Sequence, residues 1–288
     1  MKHISSRDNP HYKLMLRIAA GKRVATDRPQ VSADRHLQPD QPHSEDQGGV
    51  RREGRPLLLE GIHLCQAWLQ HQGAPEIALF DAERLAVNVE LQALASMLAP
   101  GVGHTCDPRL ARGLSQVQHG QGVFFVVPTP VPCVPKRITH NCIWLDRVQD
   151  PGNAGTLLRT AAAAGIRHAY FSAGCVAAWS AKALRSGQGA HFVMTVYEGV
   201  DLRALHERLD IPLLATALDD ADSLFAATLP ERCAWLLGNE GQGASSELLA
   251  LADQRVFIPQ VAEVESLNVA VAAGICLFEQ RRQALLAR

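Results

Sequence analysis

The sequence predicts an α/β protein of two domains, the second built on a parallel sheet with helices on both faces. Three observations lead to this fold class. A chain of 288 residues is long enough for two domains. In its second half, apolar runs of strand length alternate with segments of helical length, which is typical of a parallel sheet. Between the halves, PTPVPCVPK at 128–136 contains four prolines, which favour extended backbone and indicate a linker over 128–139.

The first half predicts a small α/β domain over 1–127. Residues 11–23 place apolar and basic side chains at helical spacing, which indicates a short amphipathic helix. Residues 26–56 contain few apolar side chains, so we expect a mobile insert there. The other predicted elements are strands at 56–59, 77–80 and 122–127 and helices at 62–72 and 89–98.

The second half predicts a larger domain over 140–288. Its last helix is apolar almost all round from Leu267 to Phe278, which predicts deep burial or a subunit interface. Strands are predicted at 142–147, 168–172, 192–197, 212–216, 233–237 and 255–258, and helices at 155–164, 180–186, 201–209, 245–252 and 266–284.

Composition and charge exclude several classes of protein. No apolar run reaches the roughly 18 residues of a membrane helix. The seven cysteines are scattered without a C-x-x-C pair and the histidines without an H-x-x-x-H pair, so we expect reduced thiols and no metal site. The net charge is −1, yet residues 1–23 contain six basic residues and one acidic residue. This basic end points to a polyanion partner such as nucleic acid, although chance clustering on a solvated helix would look the same.

The first segment with chemical character is DPGNAGTLLRTA at 150–161. A strand leads through a Pro-Gly-Asn turn into a helix that Asn153 could cap. Gly152 and Gly155 would let the backbone approach a ligand, and Arg159, about one turn into the helix, would face back towards the turn. The pattern fits a capped helix with an exposed arginine, and equally an arginine that contacts a phosphate or ribose at the carboxyl end of a strand.

The second segment is LLGNEGQG at 236–243. Three glycines after an apolar strand predict a tight loop whose Asn239 and Glu240 can contact a polar ligand, although a plain turn is the alternative. The spacing differs from the dinucleotide pattern G-x-G-x-x-G, and no Lys-Ser/Thr follows as in a P-loop. This argues against an oxidoreductase with a nucleotide cofactor.

The third segment is IPQVAEVESLNVAVAAGI at 258–275. A strand ends at Pro259, and Ser266 is predicted to cap the apolar helix that follows. Asn268, in the first turn of that helix, is the unusual residue. A buried amide must find hydrogen-bond partners, which could be the loop backbone or a ligand.

In this order and spacing, the three segments resemble the SpoU family of RNA ribose 2′-O-methyltransferases, within the SPOUT class. The resemblance covers about 140–288. A weaker one covers 1–127, where ISSRDNPHYKLMLRIAAGKR and LLLEGIHLCQAWL look like the family's N-terminal substrate-binding domain. The family usually has Met and Gly at the places of Gln260 and Ala262. The resemblance implies a C-terminal trefoil knot, S-adenosylmethionine as the cofactor, no metal, and a homodimer.

The resemblance also implies which residues form the site. Catalytic roles are implied for Asn153, Arg159, Glu240, Ser266 and Asn268. Cofactor contacts are implied for Thr216, Gly238, Glu240, Gly241, Ile258, Leu267 and Asn268. Contacts with RNA are expected from Lys13, Arg17, Lys22, Arg23 and Arg159.

The implied reaction is in-line transfer of a methyl group from a sulfonium to a ribose 2′-hydroxyl, which is a weak nucleophile near neutral pH. Because the guanidinium of Arg159 stays protonated, we expect it to hold a phosphate and stabilise the developing alkoxide rather than act as a base. The extra N-terminal domain favours 23S rRNA as the substrate. The alternatives are tRNA and a catalytically inactive RNA-binding ribosome assembly factor of the same fold. We expect a cytoplasmic location.

Overall fold

Two β-sheets organise the chain, and the computed structural model describes them within residues 1–22, 52–261, 263 and 266–287. The first sheet has five strands in the order β1-β4-β3-β5-β2, and it is mixed, because β5 runs antiparallel to both of its neighbours. Its elements are β1 (Lys2–Ile4), α1 (Pro10–Ala19), β2 (Arg52–Glu60), α2 (Ile62–His71), β3 (Ile77–Asp81), α3 (Ala82–Val87), α4 (Val89–Ser96), β4 (Gly103–Cys106), α5 (Pro108–Leu114) and β5 (Val123–Val131).

The pairing of β2 with β5 corrects two predicted boundaries. Residues 52–56, predicted to be the end of the mobile insert, form the start of β2, while 26–51 lie outside the described residues. Residues 128–131, predicted to open the linker, continue β5. Both extensions pair with each other, since Pro56 lies opposite Pro128. Prolines are tolerated there because this part of β5 has passed the end of β3, so no second ladder needs their missing N–H groups.

The second sheet has seven parallel strands in the order β10-β12-β9-β11-β6-β7-β8. Each of the six strands predicted in this half overlaps one of its strands, and only the two-residue β10 was missed. Its elements are β6 (Cys142–Leu145), α6 (Pro151–Ala164), β7 (His168–Ser172), α7 (Ala181–Gly187), β8 (Thr195–Val200), α8 (Leu202–His206), β9 (Leu213–Thr216), β10 (Asp222–Ser223), β11 (Ala234–Leu237), α9 (Ser246–Leu249), β12 (Gln254–Phe257) and α10 (Val269–Leu286).

Helices cover both faces of this parallel sheet, as predicted. Ile143 and Leu145 of β6 belong to the core that includes residues of α6, α7 and α10. Cys142 and Trp144, on the opposite face of the same strand, belong to a second core with residues of α8 and α9. The trefoil knot implied by the resemblance stays a prediction.

The last helix, α10, is only partly buried. Its inner side packs Ala273, Cys276 and Leu277 into the core, whereas Val271 and Phe278 are 52% and 47% exposed. The structure therefore leaves apolar side chains of α10 exposed, so deep burial of the whole helix is contradicted, and the alternative of a subunit interface stays a prediction. In the ranges that the structure describes, no helix combines the length and hydropathy needed to cross a membrane.

The two domains pack directly against each other through α2 and the short 3₁₀ turn at 190–192 before β8. The rings of Trp68 and Phe192 meet edge to face with their centroids 5.3 Å apart. The Gln72 side chain donates a hydrogen bond of 2.8 Å to the Phe192 carbonyl oxygen. Side chains of both domains share one buried core, so the first domain has a defined position on the second.

Candidate active site

The first segment forms the loop after β6 and the start of α6. Asp150 caps this helix, because its Oδ1 accepts hydrogen bonds from the N–H groups of Gly152 (2.6 Å) and Asn153 (3.0 Å), with Pro151 at the first helical position. The prediction that Asn153 caps the helix was therefore wrong. Asn153 lies inside the first turn, where its own side chain is left to make other contacts.

The glycine-rich segment folds into a closed loop held by Asn239. The Oδ1 atom of Asn239 accepts hydrogen bonds from the N–H groups of Gly241 (2.9 Å) and Gln242 (3.1 Å). Its Nδ2 atom donates to the Arg147 carbonyl oxygen at 2.8 Å. Gly238 is required because a Cβ atom there would overlap the backbone of residues 243 and 244. The loop is therefore rigid and is tied to the chain that follows β6.

Glu240 joins the second segment to the first. Its carboxylate accepts hydrogen bonds from the N–H groups of Gln149 and Asp150, both at 3.1 Å, and from Nδ2 of Asn153 at 3.0 Å. Burial acts to raise the pKa of Glu240, but the hydrogen bonds from Asn153, Asp150 and Gln149 outweigh it and hold the pKa below its ordinary value. Glu240 is therefore an anion at neutral pH.

Asn153 in turn joins this pair to the third segment. Its Oδ1 atom accepts a hydrogen bond from Nδ2 of Asn268 at 3.0 Å. Because the carboxylate of Glu240 can only accept, the amide orientation of Asn153 is determined, and so is that of Asn268. The three segments thus meet in one hydrogen-bonded chain, Glu240–Asn153–Asn268, which we call the polar relay.

Asn268, not Ser266, caps the last helix. Its Oδ1 atom accepts hydrogen bonds from the N–H groups of Ala270 (2.9 Å) and Val271 (3.4 Å). The prediction that the helix opens at Ser266 was wrong, as was the placement of Asn268 in its first turn. Asn268 is exposed rather than buried, and its amide binds the backbone of the helix and the Asn153 side chain. Contact of this amide with a ligand stays a prediction.

A cleft of about 590 Å³ opens beside the polar relay, at the carboxyl ends of β9, β11 and β12. Open parallel sheets bind ligands at this edge. Six of the seven residues expected to contact the cofactor line the cleft, and Ser266 does too, whereas Asn268 lies beyond it. The six are Thr216, Gly238, Glu240, Gly241, Ile258 and Leu267. Gln260 is also in the lining, and Ala262 lies outside the described residues.

Arg159 stands apart from this arrangement. It lies in the third turn of α6, about 12 Å along the axis from Pro151, because the helix begins four residues before the predicted start, so the expected position about one turn into the helix was wrong. The side chain is exposed, does not line the cleft, and has no hydrogen bond or ion pair with any residue that the structure describes.

Gly155 also differs from its expected role. A Cβ atom at this position would overlap the Ser186 side chain and the Ala183 carbonyl oxygen of α7. The glycine therefore lets α6 and α7 pack closely, and the expectation that it brings the backbone to a ligand was wrong.

The basic residues expected to contact RNA lie on the first domain. Lys13 and Arg17 are exposed on α1, Lys22 is exposed just beyond it, and Arg23 lies outside the described residues. Lys13 forms an ion pair of 2.7 Å with Asp8, which reduces its net contribution to the local charge.

Two residues that support the site were not predicted from the sequence. Asp150 could have been found, because an aspartate directly before a proline is a common helix start. Lys182 of α7 carried no such signal, since only the fold brings its Nζ atom within 2.7 Å of Asp150 Oδ2. Lys182 and the N–H groups of Asn153 and Gly152 hold the pKa of Asp150 below its ordinary value.

Comparison with known proteins gives consistent matches. The sequence model of the SpoU rRNA Methylase family matches residues 140–278. An uncharacterised tRNA/rRNA methyltransferase of Synechocystis is 41% identical over 82% of this chain and 86% of its own length. A 23S rRNA (guanosine(2553)-2′-O)-methyltransferase of Bacillus subtilis is 30% identical over 80% of this chain and 90% of its own length.

Solved structures show the same fold. The crystal structure of an rRNA methyltransferase from Sinorhizobium meliloti superimposes with a TM-score of 0.74 and 21% sequence identity, over 98% of this chain and 97% of that one. The similarity therefore spans both domains and confirms the predicted fold class.

Proposed function

The chain belongs to the SpoU rRNA methylase family, whose members use S-adenosylmethionine, and from this premise we propose that it methylates a ribose 2′-hydroxyl of 23S rRNA. Membership of the family confirms the resemblance noted in the sequence. The observation that carries the proposal is the polar relay, because it joins one residue from each of the three segments, and one of these residues, Glu240, lines the cleft.

The cleft suits the cofactor in size and in chemistry. Its volume lies within the range of about 300–1,000 Å³ that is usual for small-molecule sites. Apolar side chains such as Leu218 and Leu267 can pack against an adenosine, while the anionic Asp219 and Glu240 suit a ligand that carries cationic groups. When bound, S-adenosylmethionine supplies an electrophilic methyl group on a sulfonium.

The residues of the chain then orient the nucleophile. In our proposal, the amides of the polar relay hold the ribose, and Glu240 keeps them in register through its bonds to the loop after β6. Preorganised polar groups of this kind lower the barrier because they need not reorient during the reaction. Arg159 would hold a phosphate and stabilise the developing alkoxide. Since Arg159 has no partner among the described residues, its guanidinium is open to RNA.

We place the substrate in ribosomal RNA because the Bacillus subtilis relative is named for 23S rRNA, with tRNA as the alternative that the Synechocystis name also includes. Such a substrate implies a cytoplasmic location. The exposed basic residues of α1 support a role for the first domain in holding RNA.

We further propose that the protein is a homodimer that buries the exposed apolar side of α10. Val271 and Phe278 are both about half exposed, and Leu286 beyond them is 75% exposed. Several exposed apolar side chains on one helix are typical of a surface that a protein partner covers. Light scattering at micromolar protein should give twice the mass of the chain. A monomer would contradict this part of the proposal.

The activity is tested with purified protein, radiolabelled S-adenosylmethionine, and unmodified transcripts of 23S rRNA and tRNA. We expect label in the 23S transcript, alkali-stable at one nucleotide, and much less label with the Asn153→Ala variant. Label in tRNA alone would identify tRNA as the substrate in place of 23S rRNA. Binding of RNA without binding of the cofactor, and without transfer, would instead support the inactive assembly factor.

A further inference from the structure

A groove of about 230 Å³ lies between the two domains, separate from the cleft. One wall is formed by the start of α2 and the loop 115–121 of the first domain, and the other by the end of α7 in the second. Its polar side chains include His63, His119, Gln121, Arg185 and Gln188. The two domains are in contact through Trp68 and Phe192, so the two walls have a defined spacing.

Arg185 is the basic residue of this groove whose guanidinium is available to a ligand. The residue is half buried on α7, yet its guanidinium has no hydrogen bond or ion pair with any described residue. A guanidinium presents five donors in a planar fork, and those of Arg185 make no bond to a described residue, so they are available to an outside ligand. An external anion with several acceptor oxygens, such as a phosphate, would satisfy it.

The one acidic side chain in the described lining of the groove is already occupied. The carboxylate of Glu60 accepts hydrogen bonds from the Ser115 hydroxyl and from the N–H group of Gln116 (3.0 Å). It therefore holds the loop 115–121 in place and is not positioned by Arg185. The remaining ionisable groups in the lining, His63, His119 and Arg185, are neutral or cationic.

The groove lies between the basic end of the first domain and the polar relay. On one side, Gln116 Nε2 donates to the Ala19 carbonyl oxygen at 2.9 Å, so the loop 115–121 contacts the end of α1, three residues before Lys22. On the other side, Lys182 is one helical turn before Arg185 on α7 and binds Asp150, the residue that caps α6. One wall of the groove is thus in contact with the end of α1, and the helix that forms the other wall is in contact with the first segment.

We propose that this interdomain groove binds the phosphate backbone of the RNA substrate, with Arg185 in direct contact with a phosphate. The bound strand would run from α1 towards the polar relay and would contact both domains at once. This inference rests on the proposed function. It specifies the path along which the RNA substrate would pass from the second domain to the first.

The test compares three variants with wild-type protein. Arg185→Gln removes the charge, Arg185→Lys keeps it, and Arg203→Gln removes a matched exposed arginine on α8, which lies on the opposite face of the sheet. Affinity for an unmodified 23S rRNA transcript is measured by filter binding at several salt concentrations. Calorimetry with S-adenosylmethionine and a thermal melt check the cleft and the fold.

We expect Arg185→Gln to weaken RNA binding about tenfold at low salt and to reduce the slope of log affinity against log salt by about 0.7–0.9, as for one lost phosphate contact. Arg185→Lys should keep most of the slope, and Arg203→Gln should match wild type. If the melt shows that Arg185→Gln unfolds, His119→Glu in the exposed loop replaces it, because a carboxylate on the opposite wall of the groove should repel the phosphate backbone and weaken RNA binding.

Equal RNA affinity for Arg185→Gln and Arg203→Gln would overturn the groove proposal. If wild-type protein methylates the transcript in that case, the proposed function stands and only the groove fails. If wild-type protein neither binds nor methylates RNA, the proposed function itself fails. The two failures are therefore distinguishable.

Discussion

The polar relay can be broken without changing its shape by the substitution Asn153→Asp. The two side chains are isosteric, but the aspartate replaces the donor that faces Glu240 with a second carboxylate oxygen. The hydrogen bond of 3.0 Å is lost, and two negative charges are placed at that separation. Asn153→Ala is the matched control, because it removes both hydrogen bonds of the side chain without adding a charge.

The size of the effect follows from this distance. At 3.0 Å, two unit charges repel by roughly 1–6 kcal/mol for effective dielectric constants between 80 and 20. Glu240 is exposed, so the lower part of this range applies, and relaxation of the side chains reduces it further. We expect about 2 kcal/mol against the productive arrangement, which corresponds to about a 30-fold loss in rate.

The dependence on pH gives the effect a signature. Two carboxylates in contact raise the pKa of one of them, and a shared proton then replaces the repulsion with a hydrogen bond. The rate of Asn153→Asp relative to wild type should therefore rise as the pH falls from 8 towards 5.5, whereas the relative rate of Asn153→Ala should not change. Single-turnover methyl transfer at saturating RNA and cofactor measures both ratios. A near-wild-type rate for Asn153→Asp at pH 8, or parallel profiles for the two variants, would refute the role of the relay.

Three further outcomes are expected. Arg159→Ala should abolish methyl transfer even at saturating RNA, while the thermal midpoint and the cofactor affinity stay unchanged. Arg159→Lys should also lack methyl transfer, because an ammonium group does not have the planar fork of a guanidinium. A near-wild-type single-turnover rate for Arg159→Ala would remove the residue from the mechanism. Four basic residues near the N-terminus should be neutralised together, which should weaken RNA binding and reduce its salt dependence without changing the cofactor affinity. An unchanged RNA affinity in filter binding would count against their role. The substituted residues are Lys13, Arg17, Lys22 and Arg23. Gly155→Ala should lower the free energy of unfolding by about 1–3 kcal/mol, because the added Cβ atom would overlap Ser186. Gly241→Ala is the control, since a Cβ atom has room there. Urea denaturation measures the stability of both variants, and equal values would be inconsistent with the close packing of α6 on α7.

The fold of the second domain could be predicted because its strands are buried on both faces. β6, β9 and β11 are entirely or almost entirely buried, so each appears in the sequence as a short apolar run between polar segments. The first domain was harder. β4 contains a histidine and a threonine among its four residues, and β1 has one buried side chain, so neither shows a pattern of its own. These short strands are stabilised by pairing, which no local window of sequence contains.

The site was predictable as a set of residues but less so as a geometry. Ser266 and Asn268 are both favourable helix caps, and local preference cannot choose between them. Asn268 caps the helix in the structure, with its Oδ1 atom bound to the backbone of α10 and its Nδ2 atom donating to Asn153. Ser266, two residues earlier, lines the cleft. The choice therefore depends on a partner 115 residues away in the chain, on a different helix.

The position of Arg159 illustrates why a continuous motif need not form a continuous site. Asn153 and Arg159 lie six residues apart on α6, so their side chains project about 120° apart around the axis and about 9 Å apart along it. Asn153 faces the start of α10 and joins the polar relay, while Arg159 lies on the exposed side of the helix. One helix thus presents two surfaces, and a single ribonucleotide can contact both only if its ribose and a flanking phosphate lie around the helix. We therefore expect Arg159 to approach the nucleotide from its phosphate side, where it holds the phosphate and stabilises the developing alkoxide, while the relay holds the ribose. Substitution of either residue should therefore leave the other's ground-state contact intact.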